Sequence, residues 1–139
     1  MDTMTLSPFE VVSELAKALD HDDYDTARKC LAGDWQYDTG RETISGADAI
    51  IASYRDSSEW GDEILDELIF ESEVEETSGE SVTVEYIDLM FKNLLTHRHE
   101  CRQVCTVGPG GKVVHIVHHD IPGENKSIFA FFKKCGIER

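Results

Sequence analysis

The sequence has 139 residues and a formal net charge of −15. This length predicts one domain, over residues 1–139, which buries about two-thirds of its unfolded surface on folding. The charge is uneven, with 24 acids against 6 bases through Leu95 and 4 against 7 from Thr96 onward. Such a surface repels phosphate backbones and anionic membranes, so we expect neither nucleic acid nor a membrane as a partner.

No run approaches the ~20 apolar residues of a membrane span, and the first ten residues, MDTMTLSPFE, lack the basic and apolar regions of a signal peptide. We therefore expect a soluble cytoplasmic protein. The four cysteines have no CxxC spacing. A domain of this size does not depend on disulfides, so we expect reduced thiols that serve packing.

The first elements are predicted to be helices. In Ser7-Pro8-Phe9-Glu10 a capping serine, a proline at the first helical position and a glutamate three residues after the cap start a helix. Its apolar stripe ends near Asp20. The acidic turn His21-Asp22-Asp23 can cap a second helix, which we expect to stop at Gly33.

A short strand and a third helix follow. Trp35 and Tyr37 alternate with polar residues, as in a strand that is buried on one face. Ser45 can cap the third helix, which bears Ile50 and Ile51 on its apolar stripe.

After Gly61 the apolar spacing changes from 3.6 to 2, which predicts strands. The apolar residues of the first run lie between Ile64 and Val74, and the later strands cover about 82–86, 96–107 and 112–120. Their short connections imply an antiparallel meander. Ile128, Phe131, Phe132 and Cys135 fit one face of a short closing helix.

This order predicts an α+β domain, with three N-terminal helices packed on a curved antiparallel sheet and a short helix at the C-terminal end. A strongly twisted sheet that wraps over helices leaves a cone-shaped hollow. We therefore expect an internal pocket.

Three stretches carry a resemblance to a known superfamily. They are ALDHDDYDTARKCLAGDWQYD (residues 18–38), DTGRETISGADAII (38–51) and GGKVVHIVHHD (110–120). With the order of elements, they resemble the nuclear transport factor 2-like (NTF2-like) superfamily, which includes SnoaL-like polyketide cyclases, scytalone dehydratase and ketosteroid isomerase. The resemblance covers nearly the whole chain and implies a cone-shaped, cystatin-like fold. It says little about function, because this fold carries enzymes and non-enzymes alike.

The resemblance transfers only some functional residues. Asp20 matches the aspartate that orients a catalytic histidine in scytalone dehydratase-like members. Asp38 matches, within one residue, the general base of ketosteroid isomerase. The oxyanion-binding tyrosine and carboxylic acid of that enzyme fall on Leu15 and about Gln103, so its electrophile is missing here.

The resemblance also predicts which face of the sheet meets the hollow. It points His97, His99, Cys101, Gln103 and Cys105 of the third strand inward, together with Ile116, His118 and Asp120 of the last strand. His115 and His119 then point outward. Arg98, Glu100 and Arg102 lie on the outer face, which usually pairs with a second subunit in this superfamily, so we expect a homodimer.

Acid–base catalysis is the leading hypothesis for the pocket. A histidine held by a buried carboxylate can take and return a proton near neutral pH. We expect Asp20 to orient His99 or His118, with Asp38 or Asp120 assisting. A cofactor-independent lyase or isomerase needs little more than this pair and an apolar wall for a small ligand. The expected ligand-binding residues are Trp35, Tyr54, Phe70, Tyr86, His97, Cys101, Gln103 and Asp120.

Two alternatives remain open at this stage. In the first, Asp20 only caps a turn and the histidines satisfy one another in a wet cavity, which gives a ligand-binding or assembly domain without turnover. In the second, His97 and His99 bind zinc or iron, since side chains two residues apart on a strand point the same way. The expectation is no metal and no cofactor, because most members of the superfamily use none.

Overall fold

A computed structural model describes residues 7–79 and 81–137, and only the backbone of residues 34, 35 and 76–78. The helices are α1 (Pro8–Asp20), α2 (Tyr24–Lys29), α3 (Ala47–Ile64) and α4 (Glu124–Lys134). The strands are β1 (Leu31–Asp38), β2 (Thr43–Ser45), β3 (Glu67–Ser78), β4 (Ser81–Lys92), β5 (Leu95–Val107) and β6 (Val113–Asp120). No helix of the described ranges is long and apolar enough to cross a membrane.

The predicted α+β architecture is confirmed. The six strands form one curved sheet in the order β2-β1-β6-β5-β4-β3. The meander β3 to β6 is antiparallel, as expected. In addition, β1 pairs with β6 in parallel, which the sequence did not predict, so the sheet is mixed.

The first helix begins where the sequence predicts. Ser7 accepts a hydrogen bond from the Glu10 amide at 3.2 Å, and the Glu10 carboxylate accepts one from the Ser7 amide at 3.0 Å. This reciprocal capping satisfies two amides that the helix leaves unpaired. Asp23 caps α2 in a similar way through the Thr26 amide.

Three predicted boundaries are wrong. The second helix stops at Lys29 rather than Gly33, because the buried Leu31 pairs with Val113 in the sheet. Ser45 ends β2, and the cap of α3 is Gly46, whose φ of 93° suits glycine.

The third wrong boundary concerns Gly61, which lies inside α3 and does not end it. A Cβ there would come within 2.4 Å of the Leu68 side chain. Glycine therefore lets α3 approach β3 closely, and Ile64 belongs to the helix rather than to the strand.

The core lies between the inner face of the sheet and the first three helices. Leu15, Ile50, Val84, Cys105 and Ile116 are all completely buried there. A second cluster forms where α4 packs its predicted face, including Phe131 and Phe132, near the β3 and β4 ends. Between the two clusters the inner face of the sheet is not filled.

Helix α4 also covers a free edge of the sheet. β6 ends opposite Cys101, so the first half of β5 has no strand neighbour on that side. The carboxylate of Glu124, in the first turn of α4, accepts a hydrogen bond from the Glu100 amide at 2.6 Å. This contact satisfies an edge amide and places α4 over one end of the cavity.

The outer face of the sheet carries the charged residues that the sequence analysis placed there. Arg102 donates to Glu85, its cross-strand neighbour, at 3.0 Å, and Arg98 is paired with Glu100. A polar cross-strand network is thus present. The homodimer expected through this face stays a prediction.

Candidate functional site

A cavity of about 550 Å³ lies under the inner face of the sheet, a volume typical of pockets for small molecules. Its apolar wall comes from α1, α3, α4, β3 and β4 and includes Leu19, Trp60, Leu68, Phe70, Met90, Ile128 and Phe132. Its polar wall consists mainly of Asp20, Tyr54, Tyr86, Asp88, His99, Cys101, Gln103, His118 and Asp120.

The predicted direction of the β5 and β6 side chains is correct. His99, Cys101 and Gln103 reach the cavity from β5, and His118 and Asp120 reach it from β6. The next inward residues, Cys105 and Ile116, are completely buried in the core below. Of the predicted pocket residues, Tyr54, Phe70 and Tyr86 also line the cavity.

Gln103 is the centre of one polar group, which we call the closed network and which consists of Tyr37, Tyr54, Gln103, His118 and Asp120. Gln103 is only 3% exposed. Its carbonyl oxygen accepts from the Tyr54 hydroxyl at 2.8 Å, and its amide nitrogen donates to the Tyr37 oxygen at 3.0 Å. The Tyr37 and Tyr54 rings stack with their centroids 5.6 Å apart, which holds both hydroxyls in place.

His118 joins this network through both ring nitrogens. Its Nδ1 lies 3.3 Å from the Gln103 amide nitrogen, and its Nε2 lies 2.8 Å from an oxygen of Asp120. Because the Gln103 amide donates to Nδ1, Nδ1 acts as an acceptor. Nε2 therefore carries the N–H and donates a hydrogen bond to Asp120. Neither nitrogen is left for a substrate.

Asp120 completes the closed network at the cavity mouth. It accepts from His118 and, at 3.0 Å, from the Asn125 side chain. Burial alone would raise the pKa of Asp120, but these hydrogen bonds and the charges of His118 and Arg41 outweigh it and lower the pKa.

The predicted pair of Asp20 with His99 or His118 is not formed. One oxygen of Asp20 accepts from the Ser72 hydroxyl at 2.5 Å, and neither oxygen bonds to a histidine of the described chain. The physical reason is the strand order. Asp20 ends α1 above β3, whereas His118 belongs to β6, three strands away in the sheet.

Asp38 is not brought into the site. Its carboxylate accepts from the Gly40 amide at 2.9 Å in the turn between β1 and β2, the local role that aspartate often takes before glycine. Asp38 is not among the described residues that line the cavity. It is therefore in no position to assist at the polar wall.

Two other residues that were predicted for the pocket, His97 and Trp35, are not among the described residues that line the cavity. His97 points inward but stacks on Phe131 of α4, with the ring centroids 5.1 Å apart, and so it is covered rather than part of the cavity lining. The side chain of Trp35 lies outside the described residues, so its place in the pocket stays a prediction.

Within 7–79 and 81–137 no group of three or more His, Cys, Asp or Glu side chains has a metal-binding arrangement.

A second polar group, which we call the open wall, consists of Asp20, Tyr86, Asp88 and His99. The second Asp20 oxygen, the Tyr86 hydroxyl and the Nδ1 of His99 are buried and have no hydrogen-bond partner in the described chain. Asp88 likewise makes no hydrogen bond to a described residue. Buried polar atoms are almost always paired, so three such atoms on one cavity wall, beside Asp88, indicate a place for a ligand or for water.

The electrostatics of the open wall are unusual. Burial, and then the charge of Asp20, raise the pKa of Asp88 to about 7. Burial also raises the pKa of Asp20, although the Ser72 hydrogen bond opposes this change. The pKa of His99 is lowered, mainly by burial, so its imidazole is neutral at pH 7.

The sequence analysis missed Asp88, although a signal was present. In β4 the inward positions are Val82, Val84, Tyr86, Asp88 and Met90, so one aspartate interrupts an apolar face. An ionisable residue at a core-facing position of an otherwise apolar strand face is a reason to suspect a site.

The two inward cysteines of β5 do not have the properties of nucleophiles. Burial raises the pKa of both Cys101 and Cys105 to about 12. A thiol of this kind is not ionised at neutral pH and is inert. Cys105 packs in the core, as expected, whereas Cys101 lines the cavity.

Comparison with known proteins gives the fold. No family model and no curated protein matches the chain. Among solved structures, an NTF2-like protein of unknown function from Cytophaga hutchinsonii matches with a TM-score of 0.64 and 16% identity, over 93% of this chain and 99% of that one. A protein from Shewanella denitrificans, named for its likeness to SnoaL-like polyketide cyclases, gives a TM-score of 0.69 and 15% identity, over 89% and 97% of the chains.

A third match is an epoxide hydrolase of the LEH-like kind from M. tuberculosis, with a TM-score of 0.63, 20% identity, and coverage of 88% of this chain and 90% of that one. The chain therefore has the NTF2-like fold that the sequence resemblance implied. At these identities the likeness concerns the fold alone.

Proposed function

We propose that the chain binds a small, largely apolar molecule in the cavity and moves a proton on it, as a cofactor-independent lyase or isomerase. The observation that carries the proposal is the placement of Asp88 and His99. The two residues lie directly opposite each other in the β4–β5 register, both face the cavity, and Asp88 and the His99 Nδ1 lack partners in the described chain.

The pKa shifts assign a role to each member of the pair. With a pKa of about 7, Asp88 is a stronger base than an ordinary carboxylate and still ionises near neutral pH. Because burial lowers the pKa of His99, the neutral ring serves as a hydrogen-bond donor or acceptor rather than as a cation. Asp88 is the proposed base, and His99 the group that faces the substrate oxygen.

An isomerisation through this pair balances without a cofactor. The Asp88 carboxylate takes a proton from a carbon next to a carbonyl, and the electron pair of the C–H bond moves onto the carbonyl oxygen. An N–H of His99 donates a hydrogen bond to that oxygen. The Asp88 acid then returns the proton to another carbon of the conjugated system, and the carbonyl forms again.

A second candidate is binding without turnover, and the closed network favours it. His118 has no free nitrogen and Asp20 does not orient a histidine, so two members of the predicted catalytic set are already engaged elsewhere. Under this alternative the open wall holds a ligand and transfers nothing.

Deuterium exchange separates the two candidates. We would incubate the protein in deuterated water with a panel of small cyclic ketones and follow the mass of each ketone. Proton transfer predicts incorporation above the buffer rate in wild type and a loss of about 100-fold or more in Asp88→Asn. The matched control is Glu73→Gln, which removes an acid from the exposed side of β3 and should keep the wild-type rate.

Two outcomes count against the catalytic proposal as stated. If ketones bind but wild type exchanges no faster than buffer, binding without turnover replaces the catalytic proposal. If Asp88→Asn exchanges as fast as wild type, Asp88 is not the base.

A further inference from the structure

The cavity has a marked excess of negative over positive groups. Its lining includes five aspartates, and none of the described lining residues is Lys or Arg. The basic groups whose charges act on its aspartates lie outside the lining or in the closed network: His21 acts on Asp20, and His118 and Arg41 act on Asp120. A ligand with a carboxylate, phosphate or other anionic group would meet carboxyl groups without a counter-charge.

The open wall offers acceptors where a positive group could bind. One oxygen of Asp20 and the hydroxyl oxygen of Tyr86 are fully buried and unpartnered within the described chain. Both residues and Asp88 line the same cavity, and the charge of Asp20 acts on both Tyr86 and Asp88. Three oxygen-bearing groups from α1 and β4 thus come together.

A protonated amine matches these three groups. An alkylammonium group has three N–H donors and no acceptor, so it can donate to Asp20, Tyr86 and Asp88 together. Phe70 and Trp60 on the apolar wall suit an apolar body attached to that group.

We propose that the ligand of this cavity is an apolar molecule that carries a protonated amine, and that Asp20 and Tyr86 hold its ammonium group beside Asp88. The inference rests on the proposed function, since it names the substrate class of the same site. The ammonium group of the substrate would also affect the proposed base. A cation beside Asp88 stabilises its carboxylate, so binding ionises the proposed base and releases its proton to solvent.

Three probes with one apolar body test this directly. They are 3-phenylpropylamine, which is a cation at neutral pH because alkylamines have pKa values of about 10, 3-phenylpropan-1-ol and 3-phenylpropanoate. Titration calorimetry on the wild-type chain should give an affinity for the amine about tenfold or more above that for the alcohol, with the carboxylate weakest. Asp20→Asn should lower the affinity for the amine about tenfold and change that for the alcohol less than about twofold.

Proton release provides a second readout. Near pH 6.5, where Asp88 is mostly protonated, amine binding should release a proton, which appears as a dependence of the binding heat on the buffer. Asp88→Asn should abolish the release, and Glu73→Gln should keep it. Affinity for the amine should rise between pH 6 and 8, because the cation favours ionised Asp88.

The ionisable groups that line the cavity with Asp88 come from α1 and the turn after it, from α2 and α3, and from β4, β5 and β6. They are Asp20, Asp22, Tyr24, Tyr54, Asp56, Tyr86, His99, Cys101, His118 and Asp120. The Asp88→Asn arm separates the titration of Asp88 from that of the others.

The outcomes distinguish this inference from the proposed function. If the alcohol binds as tightly as the amine, or the carboxylate binds best, the ammonium inference is overturned while the pocket keeps its proposed role. If none of the three probes binds, the ammonium inference is overturned, and the ketone exchange assay decides the proposed function separately. If Asp20→Asn fails to fold, the probe series on wild type still decides.

Discussion

The two polar groups of the cavity differ in one respect that separates structure from function. In the closed network Gln103 and His118 use their hydrogen-bonding atoms on protein partners. In the open wall Asp20, Tyr86 and His99 each keep a buried atom unpaired. Both groups lie on the same sheet and line the same space. The two groups are distinguished by whether their hydrogen-bonding atoms already have protein partners, and not by their residue types. Of these two groups in the described chain, only the open wall has buried atoms left to bind a ligand.

The difference between the two groups also affects the stability of the fold. A fully paired buried network contributes to stability, whereas an unpaired buried carboxyl lowers it. Proteins keep such groups mainly where they serve function. Removing a paired group of the closed network should therefore lower stability, whereas removing an unpaired group of the open wall should leave stability unchanged or raise it.

Asp88→Asn should produce the largest effect, and the effect should depend on pH. The pKa of Asp88 is about 7 in the folded chain, against an ordinary value of 3.8 for an aspartate. The folded state therefore binds the proton more tightly, and wild-type stability falls as pH rises from about 4 through 7. The variant lacks this loss. The free energy of unfolding of the variant, relative to that of wild type, should therefore increase across that range. The increase should reach up to about 4 kcal/mol, because each pKa unit corresponds to about 1.4 kcal/mol.

Urea denaturation at pH 4.5 and pH 8 checks this expectation. Glu73→Gln, on the exposed side of β3, serves as the control and should follow the wild-type curve at both pH values. A pH-independent difference between Asp88→Asn and wild type would contradict a desolvated Asp88.

Gln103→Leu should have the next largest effect, in the opposite direction. The change leaves the Tyr54 and Tyr37 hydroxyls and the His118 Nδ1 without their partner in a buried site. We expect a loss of about 3 kcal/mol in the free energy of unfolding. A loss below about 1 kcal/mol would mean that the closed network contributes little to stability.

A matched pair of tyrosine variants compares the two groups with one chemical change. Tyr54→Phe removes the donor to the Gln103 carbonyl and should cost about 1.5 kcal/mol. Tyr86→Phe removes a hydroxyl that has no partner in the described chain and should leave stability within about 0.5 kcal/mol of wild type. Equal losses in the two variants would remove the distinction between the groups.

Much of the fold could be predicted from local chemistry. The capping box at Ser7, the cap at Asp23 and the alternation in β5 and β6 each depend on residues close in sequence, and each is present. The boundary errors at Ser45 and Gly61 have a tertiary cause. Helix α3 continues through Gly61 because Leu68 packs against it, and that contact cannot be read from either segment alone.

The location of the site could be predicted from the sequence, but the hydrogen-bond partners of its residues could not. Strand alternation showed which residues share a face with His99 and with His118, and the family resemblance predicted that these faces meet the cavity. The partner of His118 depends on which strand lies beside β6 and on how far β6 runs, and Asp120, two residues along, is closer than Asp20. Asp88 could have been found as an aspartate on the apolar face of β4, but its raised pKa follows from burial near Asp20, which only the packed chain creates.

The most direct test of the account is the titration of Asp88 itself. Carbon-13 NMR of the aspartate carboxyl groups, with Asp88→Asn used to assign the signal, gives the pKa in the ligand-free protein. We predict a midpoint of about 7, with the signal shifted toward the ionised form when 3-phenylpropylamine is added at pH 6.5. A midpoint near 4, the value of an ordinary aspartate, would show that Asp88 is solvated, and the open wall would then have no group poised for proton transfer.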